Sequence, residues 1–182
     1  MTSTPDTSTE RVDPPLAASE AETLLGYLNY HRQTLKMKAE GLDQAQLART
    51  LAPSTLTLGG LLKHMALVED HWFSVVLLGN EQAEPWASAD WEADADWEFH
   101  TAGDDSADEL YRLFDEATAA SDRILRRVLD EDGPGRLSEK ESRRQGGAFS
   151  LRWILMHMVE EYARHNGHAD LIRESIDGQT GE

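Results

Sequence analysis

The chain has 182 residues, 40% of them hydrophobic, which suits one domain with a packed core. A formal net charge of −17 without a basic patch argues against nucleic-acid binding, because phosphates repel an acidic surface. The absence of cysteine excludes disulfides, thiolate metal ligands and a cysteine nucleophile, and it fits a reducing cytoplasm.

The N-terminal segment has the composition of a disordered leader. Residues 1–17 are rich in Pro, Ser and Thr and lack the apolar core of a signal peptide. No apolar run in the chain approaches the roughly 20 residues that a membrane span needs. We therefore expect a cytoplasmic protein with no membrane partner.

The first predicted helix follows this leader. Ser19 and Glu22 form a capping box, and apolar residues at helical spacing extend the helix to about Ala39. The stretch GLDQAQL then predicts a connector with a short helical turn, which Pro53 and Ser54 close.

The second predicted helix covers LGGLLKHMALVEDHWFSVVLL. Thr57 is its expected N-cap, and Gly79 is expected to end it. Its wide apolar stripe is typical of a helix that faces the interior of a bundle.

A long acidic excursion is predicted at about 80–105. Eleven carboxylates lie between residues 80 and 109, without a single lysine or arginine. Three tryptophans interrupt this segment: Trp86, Trp91 and Trp97. These side chains either cap one end of the bundle or anchor a protein partner, since aromatic residues are common interface anchors.

Two further helices complete the chain. Ser106 and Glu109 form a second capping box, which starts a third helix ending at about Asp130. The following segment, DGPGRLSEKESRRQGGA, predicts a loop and no strand. Ser150 caps a fourth helix that ends shortly before Gly178. Residues 18–178 thus predict an all-α fold, a four-helix bundle with the acidic excursion inserted.

The fourth helix carries four metal-capable side chains in one stripe: His157, Glu161, His165 and His168. At about 100° per residue, these positions fall within an arc of roughly 80° on one face. Such a stripe either holds a divalent metal or forms a polar face that is solvated or hydrogen-bonded within the bundle.

A third ligand should come from a facing helix. His64 is the best candidate, because Leu61 and Val68 at steps of three and four place its imidazole on an apolar face. Three other histidines are weaker candidates: His31, His71 and His100. Gly59 and Gly60, just before His64, indicate a close approach of another backbone or room for a ligand.

A site built from His64, Glu161 and His165 would leave at least one coordination position open, as catalytic metal sites do. Two imidazoles and one carboxylate suit zinc, nickel, iron(II) or cobalt and discriminate poorly among them. His157 and His168 would flank this site as groups that orient the ligands or as catalytic acid–base groups facing the substrate.

The two segments TLGGLLKHMALVEDHWF and HMVEEYARHNGHADLIRE together resemble the DinB-like metalloenzyme superfamily. The resemblance extends over nearly everything after the leader, and the nearest similarity is to a branch that includes mini-circle proteins. It implies a helical bundle that can form a homodimer. It also implies a metal bound by one histidine of the second helix and two ligands four residues apart on the fourth. His64, Glu161 and His165 stand at those positions, and the carboxylate resembles the zinc site of mycothiol-dependent maleylpyruvate isomerase.

The resemblance implies a thiol-dependent transferase or detoxification enzyme that uses zinc, nickel or iron and takes a low-molecular-weight thiol as its cosubstrate: mycothiol, bacillithiol or glutathione. A protein without cysteine would then obtain its nucleophile from a small molecule. Two alternatives remain at this stage. One is a hydrolase that uses metal-bound water, and the other is a non-enzymatic bundle that binds a ligand or a protein.

Overall fold

The computed structural model of the protein describes residues 11–181, which fold mainly as α-helices. The predicted leader lies largely outside the described residues. The helices are α1 (Glu20–Ala39), α2 (Gln44–Leu47), α3 (Leu58–Glu69), α4 (Trp97–Thr101), α5 (Ala107–Glu131) and α6 (Leu151–Asp177). The strands are β1 (Leu137–Glu141) and β2 (Ala148–Ser150).

The all-α bundle predicted from the sequence is confirmed. The four long helices pack around one core, with α1 against α6 and α3 against α5. Fully buried side chains from all four helices fill this core: Leu28, Leu35, Leu61, Leu62, Met65, Leu110, Leu125, Leu155, Met158 and Tyr162. Five of the helices begin at a side-chain cap. The side chains of Ser19, Asp43, Thr57, Ser106 and Ser150 accept hydrogen bonds from the first turns of α1, α2, α3, α5 and α6.

The second long helix differs from the expectation in its final turns. The α-helical hydrogen bonding stops at Glu69, and Asp70–Val76 continue as a π-helix before Gly79 ends the element with a φ of 73°. An apolar stripe cannot distinguish these two helix types over seven residues, because only the hydrogen-bond register changes.

The acidic excursion is a structured cap on the bundle. It contains a 3₁₀ turn at Trp86–Ser88 and the short helix α4. Trp86 is buried, and the ring of Trp97 lies 6.3 Å from that of Trp86 and 6.0 Å from that of Trp91. The three tryptophans therefore pack mainly on one another, which favours the capping interpretation over the interface interpretation.

The expectation of a loop without strands before α6 is wrong. β1 and β2 form an antiparallel hairpin, with Leu137 opposite Ser150 and Glu141 opposite Ala148. Within β1 only Ser138 is buried, so the strand lacks the apolar alternation by which strands are recognised. Polar contacts hold it instead, since Ser138 Oγ accepts from the backbone N–H of Phe149 at 2.9 Å.

A buried ion pair joins the four long helices. The guanidinium of Arg32 in α1 donates two hydrogen bonds of 2.7 Å to the carboxylate of Glu69 in α3. Tyr162 in α6 donates to the same carboxylate at 2.8 Å, and Asp122 in α5 accepts from Arg32 at 2.8 Å. Arg32 and Glu69 are 5% and 0% exposed, so both charges depend on each other for stabilisation.

Within the described residues, no helix is long and apolar enough to cross a membrane.

The Glu69→Gln variant should lose about 3–5 kcal/mol of unfolding free energy, because it removes the buried counter-ion of Arg32 and leaves that charge only the half-exposed Asp122. Denaturant titration measures this loss. The matched control is Glu116→Gln, which removes an exposed ion pair with Arg112 and should cost less than about 1 kcal/mol. Equal stability of the two variants would contradict the role given to Glu69.

Candidate metal centre

The structure brings together the three residues that the sequence predicts as metal ligands. His64, Glu161 and His165 each offer one donor atom, and these atoms lie within 4.8 Å of one another. Nε2 of His165 is 3.6 Å from Oε2 of Glu161, and the ring centroids of His64 and His165 are 4.9 Å apart. The donors come from two long helices, α3 and α6.

Local helix geometry explains this convergence. Glu161 and His165 are one turn apart on α6 and therefore point in nearly the same direction. His64 lies in the second turn of α3, and its side chain is part-buried. Tyr162, which follows Glu161, is fully buried and bonded to Glu69 of α3, so the two helices meet in a fixed rotation.

The orientation of His64 depends on a residue that sequence analysis did not identify. Nδ1 of His64 lies 2.8 Å from Oε1 of Glu98, which α4 carries. An ionised carboxylate accepts hydrogen bonds, so Nδ1 of His64 is the donor in this contact and Nε2 is the ring nitrogen that Glu98 does not engage. Glu98 is one of eleven carboxylates in an acidic stretch, and its sequence position gives no signal that distinguishes it from the others.

His165 is poised to act as a neutral ligand. Burial is the largest cause and the neighbouring His64, His168 and Arg164 act in the same direction, so that together they lower the pKa of His165 to about 4. Its imidazole is therefore unprotonated at neutral pH, the state in which histidine binds metals.

His157 lies on the other side of the Glu161 carboxylate. Its Nε2 is 3.6 Å from Oε1 of Glu161, while His165 faces Oε2. The His157 ring stacks on Trp153 at 5.1 Å and meets Trp72 edge-on at 4.6 Å. His157 thus stands between the three-donor cluster and an aromatic wall, where Phe149 packs on both tryptophans.

His168 lies at the opposite end of the stripe. Its ring is 5.5 Å from that of His165, and it is part-buried. Its Nδ1 is buried and has no hydrogen-bond partner in the part of the chain that the structure describes. The two predicted catalytic histidines therefore flank the cluster, one on each side along α6.

The three weaker candidates do not join the cluster. Nδ1 of His31 lies 3.3 Å from the side-chain amide of Asn166, on the α1 side of α6. His71 is exposed and packs edge-on against Trp72. His100 is exposed as well, and its Nδ1 is bonded to Asp94 at 2.9 Å, which raises the pKa of His100.

The close approach predicted at the paired glycines is present. A Cβ on Gly60 would lie 3.1 Å from Cδ1 of Phe99, and one on Gly59 would lie 3.0 Å from Cδ1 of Leu110. Phe99 follows Glu98, so the small residue at Gly60 lets α4 reach α3 beside His64.

These residues fit a divalent metal. Zinc ligands lie about 2.0–2.2 Å from the ion, which places donors roughly 3.5 Å apart, a separation that a small side-chain adjustment reaches from the observed cluster. Histidine ligands commonly donate their second N–H to a carboxylate, as His64 does to Glu98. Among the described residues, this is the one group of three or more such side chains with converging donors.

The fold and the site together define the class of this protein. It is an all-α bundle with a candidate three-ligand metal centre, in which two long helices present two imidazoles and one carboxylate. Within this class, a sequence model of the mycothiol-S-transferase family (MST) matches residues 23–178. The chain belongs to the mycothiol-S-transferase family, which confirms the resemblance to the DinB-like superfamily. No curated protein matches the chain.

The depressed pKa of His165 predicts a pH dependence of the metal-free protein. Between pH 6.5 and about 4 the unfolded chain binds a proton at this histidine and the folded protein does not, so stability falls as the pH falls. Above pH 6.5 the group adds no dependence. The slope from one such group is at most about 1.4 kcal/mol per pH unit.

Denaturant titrations of EDTA-treated protein from pH 7 to pH 4 measure this slope, and His165→Asn should flatten it. The control is His100→Asn. The pKa of His100 is raised, so its contribution is lost above pH 6.5 and its removal should leave the acid slope in place. An unchanged acid slope in His165→Asn would show that this histidine is not buried in its neutral form.

Proposed function

We propose that this protein is a metal-dependent mycothiol S-transferase. The observation that carries the proposal is the convergence of the His64, Glu161 and His165 donors within 4.8 Å. Membership of the mycothiol-S-transferase family supports a thiol cosubstrate. The lack of cysteine supports it as well, because the chain has no thiol of its own to serve as nucleophile.

His64, Glu161 and His165 would hold the metal, and zinc is the ion we expect from two imidazoles and a carboxylate. When bound, the metal would lower the pKa of a thiol and so supply a thiolate at neutral pH. The chain's own contribution is to fix three ligands and leave space for a further one. Neutral His165 provides its nitrogen without a prior loss of a proton, and Glu98 engages Nδ1 of His64, which leaves Nε2 as the nitrogen for the metal.

His157 is the group best situated to handle the proton that the thiol loses. Its Nε2 lies near the Glu161 carboxylate at 3.6 Å, and its ring is part-buried next to the cluster. Histidine is the commonest general base, because its pKa lies near neutral pH. His168 lies beside His165 at the other end of the cluster and is the second candidate for a general acid or base.

The aromatic wall beside His157 is where we place the apolar part of the electrophilic substrate. Trp153 is 45% exposed, and its ring stacks on His157 while contacting Trp72 and Phe149. In the transfer, the thiol sulfur forms a bond to an electrophilic carbon of the substrate. The leaving group departs with its electron pair, and the thiol proton passes to the base.

The test combines metal analysis with turnover. Zinc-loaded protein should retain about one ion per chain after desalting and should conjugate mycothiol to an activated alkyl or aryl halide. The His64→Ala and Glu161→Ala variants should lose both the metal and the conjugation, since two remaining ligands hold an ion poorly. The control variant His100→Ala, on an exposed histidine outside the cluster, should keep both.

Two outcomes would contradict this function. Full metal retention by both ligand variants would show that the ion binds elsewhere. Metal-dependent turnover of an ester or amide substrate that proceeds equally without mycothiol would instead assign the site to water chemistry.

A further inference from the structure

The acidic excursion inserts one carboxylate into the interior next to the candidate metal centre. Glu98 is 4% exposed, and its Oε1 accepts from Nδ1 of His64 at 2.8 Å. Its Oε2 is buried and has no hydrogen-bond partner among residues 11–181. Burying a carboxylate oxygen without a hydrogen bond lowers the stability of the folded protein. The burial of Glu98 beside His64 therefore points to a functional role rather than a stabilising one.

The residue before His64 anchors the segment that carries Glu98. Lys63 is 3% exposed, and its ammonium donates to Oδ2 of Asp105 at 2.5 Å and to Oγ1 of Thr101 at 2.9 Å. The same ammonium lies 4.6 Å from the ring centroid of Trp97. Lys63 thus fastens both ends of α4 to α3, and the neighbouring residue, His64, receives the carboxylate.

A third contact fixes the plane of the imidazole. The ring of Phe99 stacks on that of His64, with centroids 4.7 Å apart and an interplanar angle of 22°. The small residue at Gly60 permits this stacking, because a Cβ there would lie 3.1 Å from Cδ1 of Phe99. Glu98 therefore sets the rotation of the ring, and Phe99 restricts its tilt.

We propose that Glu98 is a positioning residue for the candidate metal centre and that α4 holds its carboxylate against His64. Its carboxylate holds His64 in the tautomer with the proton on Nδ1, which leaves the lone pair on Nε2 for the metal. This inference rests on the proposed function, because the free Nε2 of His64 would be the nitrogen that binds the metal. The restraint itself, however, belongs to the metal-free protein and can be observed there.

The direct test is the tautomer of His64 in metal-free protein labelled with ¹⁵N-histidine. Long-range ¹H–¹⁵N correlation spectra near pH 8 should show the Nδ1–H form of His64 in the natural protein. In Glu98→Ala the resonance should move toward the Nε2–H form that predominates for free imidazole side chains. The control is Glu92→Gln, which removes an exposed carboxylate of the same excursion and should leave the tautomer unchanged. An Nδ1–H form that persists in Glu98→Ala would overturn the proposal.

Zinc affinity provides the second measurement, by competition with a chelator. Glu98→Ala should bind zinc about 10–100-fold more weakly, the usual effect of removing such a partner. Glu98→Gln should recover part of this loss, because its amide oxygen still accepts from Nδ1, and it guards against an effect of poor folding in the alanine variant. Glu92→Gln should bind like the natural protein.

The failure of this inference and of the proposed function can be told apart. A natural protein that binds no zinc, while its His64 shows the Nδ1–H form, would refute the metal-dependent function and leave only the restraint of Glu98 on the His64 ring. Natural protein and Glu98→Ala that bind zinc equally well would refute the role of Glu98 and leave the metal centre intact.

Discussion

The bundle depends on one buried charge pair, between Arg32 and Glu69. Both groups lie in the interior, where water does not stabilise them, so each charge depends on its partner in the folded bundle. The pair joins α1 to α3, and Tyr162 extends it to α6. Glu69 is five residues after His64, and Tyr162 follows Glu161. The interaction that satisfies the charges therefore also fixes the height and rotation of the two helices that provide the candidate metal ligands.

A second set of restraints acts on the site from outside the bundle. The excursion between α3 and α5 lies outside the four long helices, and the ammonium of Lys63 holds it against α3. It supplies Glu98 to the imidazole of His64, whereas the other imidazole, that of His165, is buried in the bundle, which keeps it neutral. The two histidines are thus held by different means, His64 by a hydrogen bond to Nδ1 and His165 by burial that keeps it neutral.

Local sequence patterns predicted the helices, because capping residues and apolar stripes act within a few turns of the chain. The same stripes place Leu62, Met65 and Glu69 on one face, so a carboxylate among core positions was a readable signal of the buried pair. The His64, Glu161 and His165 cluster followed from helical spacing together with family resemblance. Glu98 could not be predicted, since its partner lies 34 residues away and ten similar carboxylates surround it. The hairpin could not be predicted either, because polar contacts of Ser138 hold it and β1 lacks the alternation of apolar residues by which strands are recognised.

The lack of cysteine makes one measurement especially direct. Cobalt(II) substituted into the metal centre develops a sulfur-to-metal charge-transfer band only when a thiolate is its ligand, and this chain cannot supply one. We expect titration with mycothiol to produce such a band, which saturates at one thiol per cobalt and does not form in His64→Ala. A protein that binds cobalt through His64 but shows no band at saturating mycothiol would contradict a metal-dependent thiol transferase.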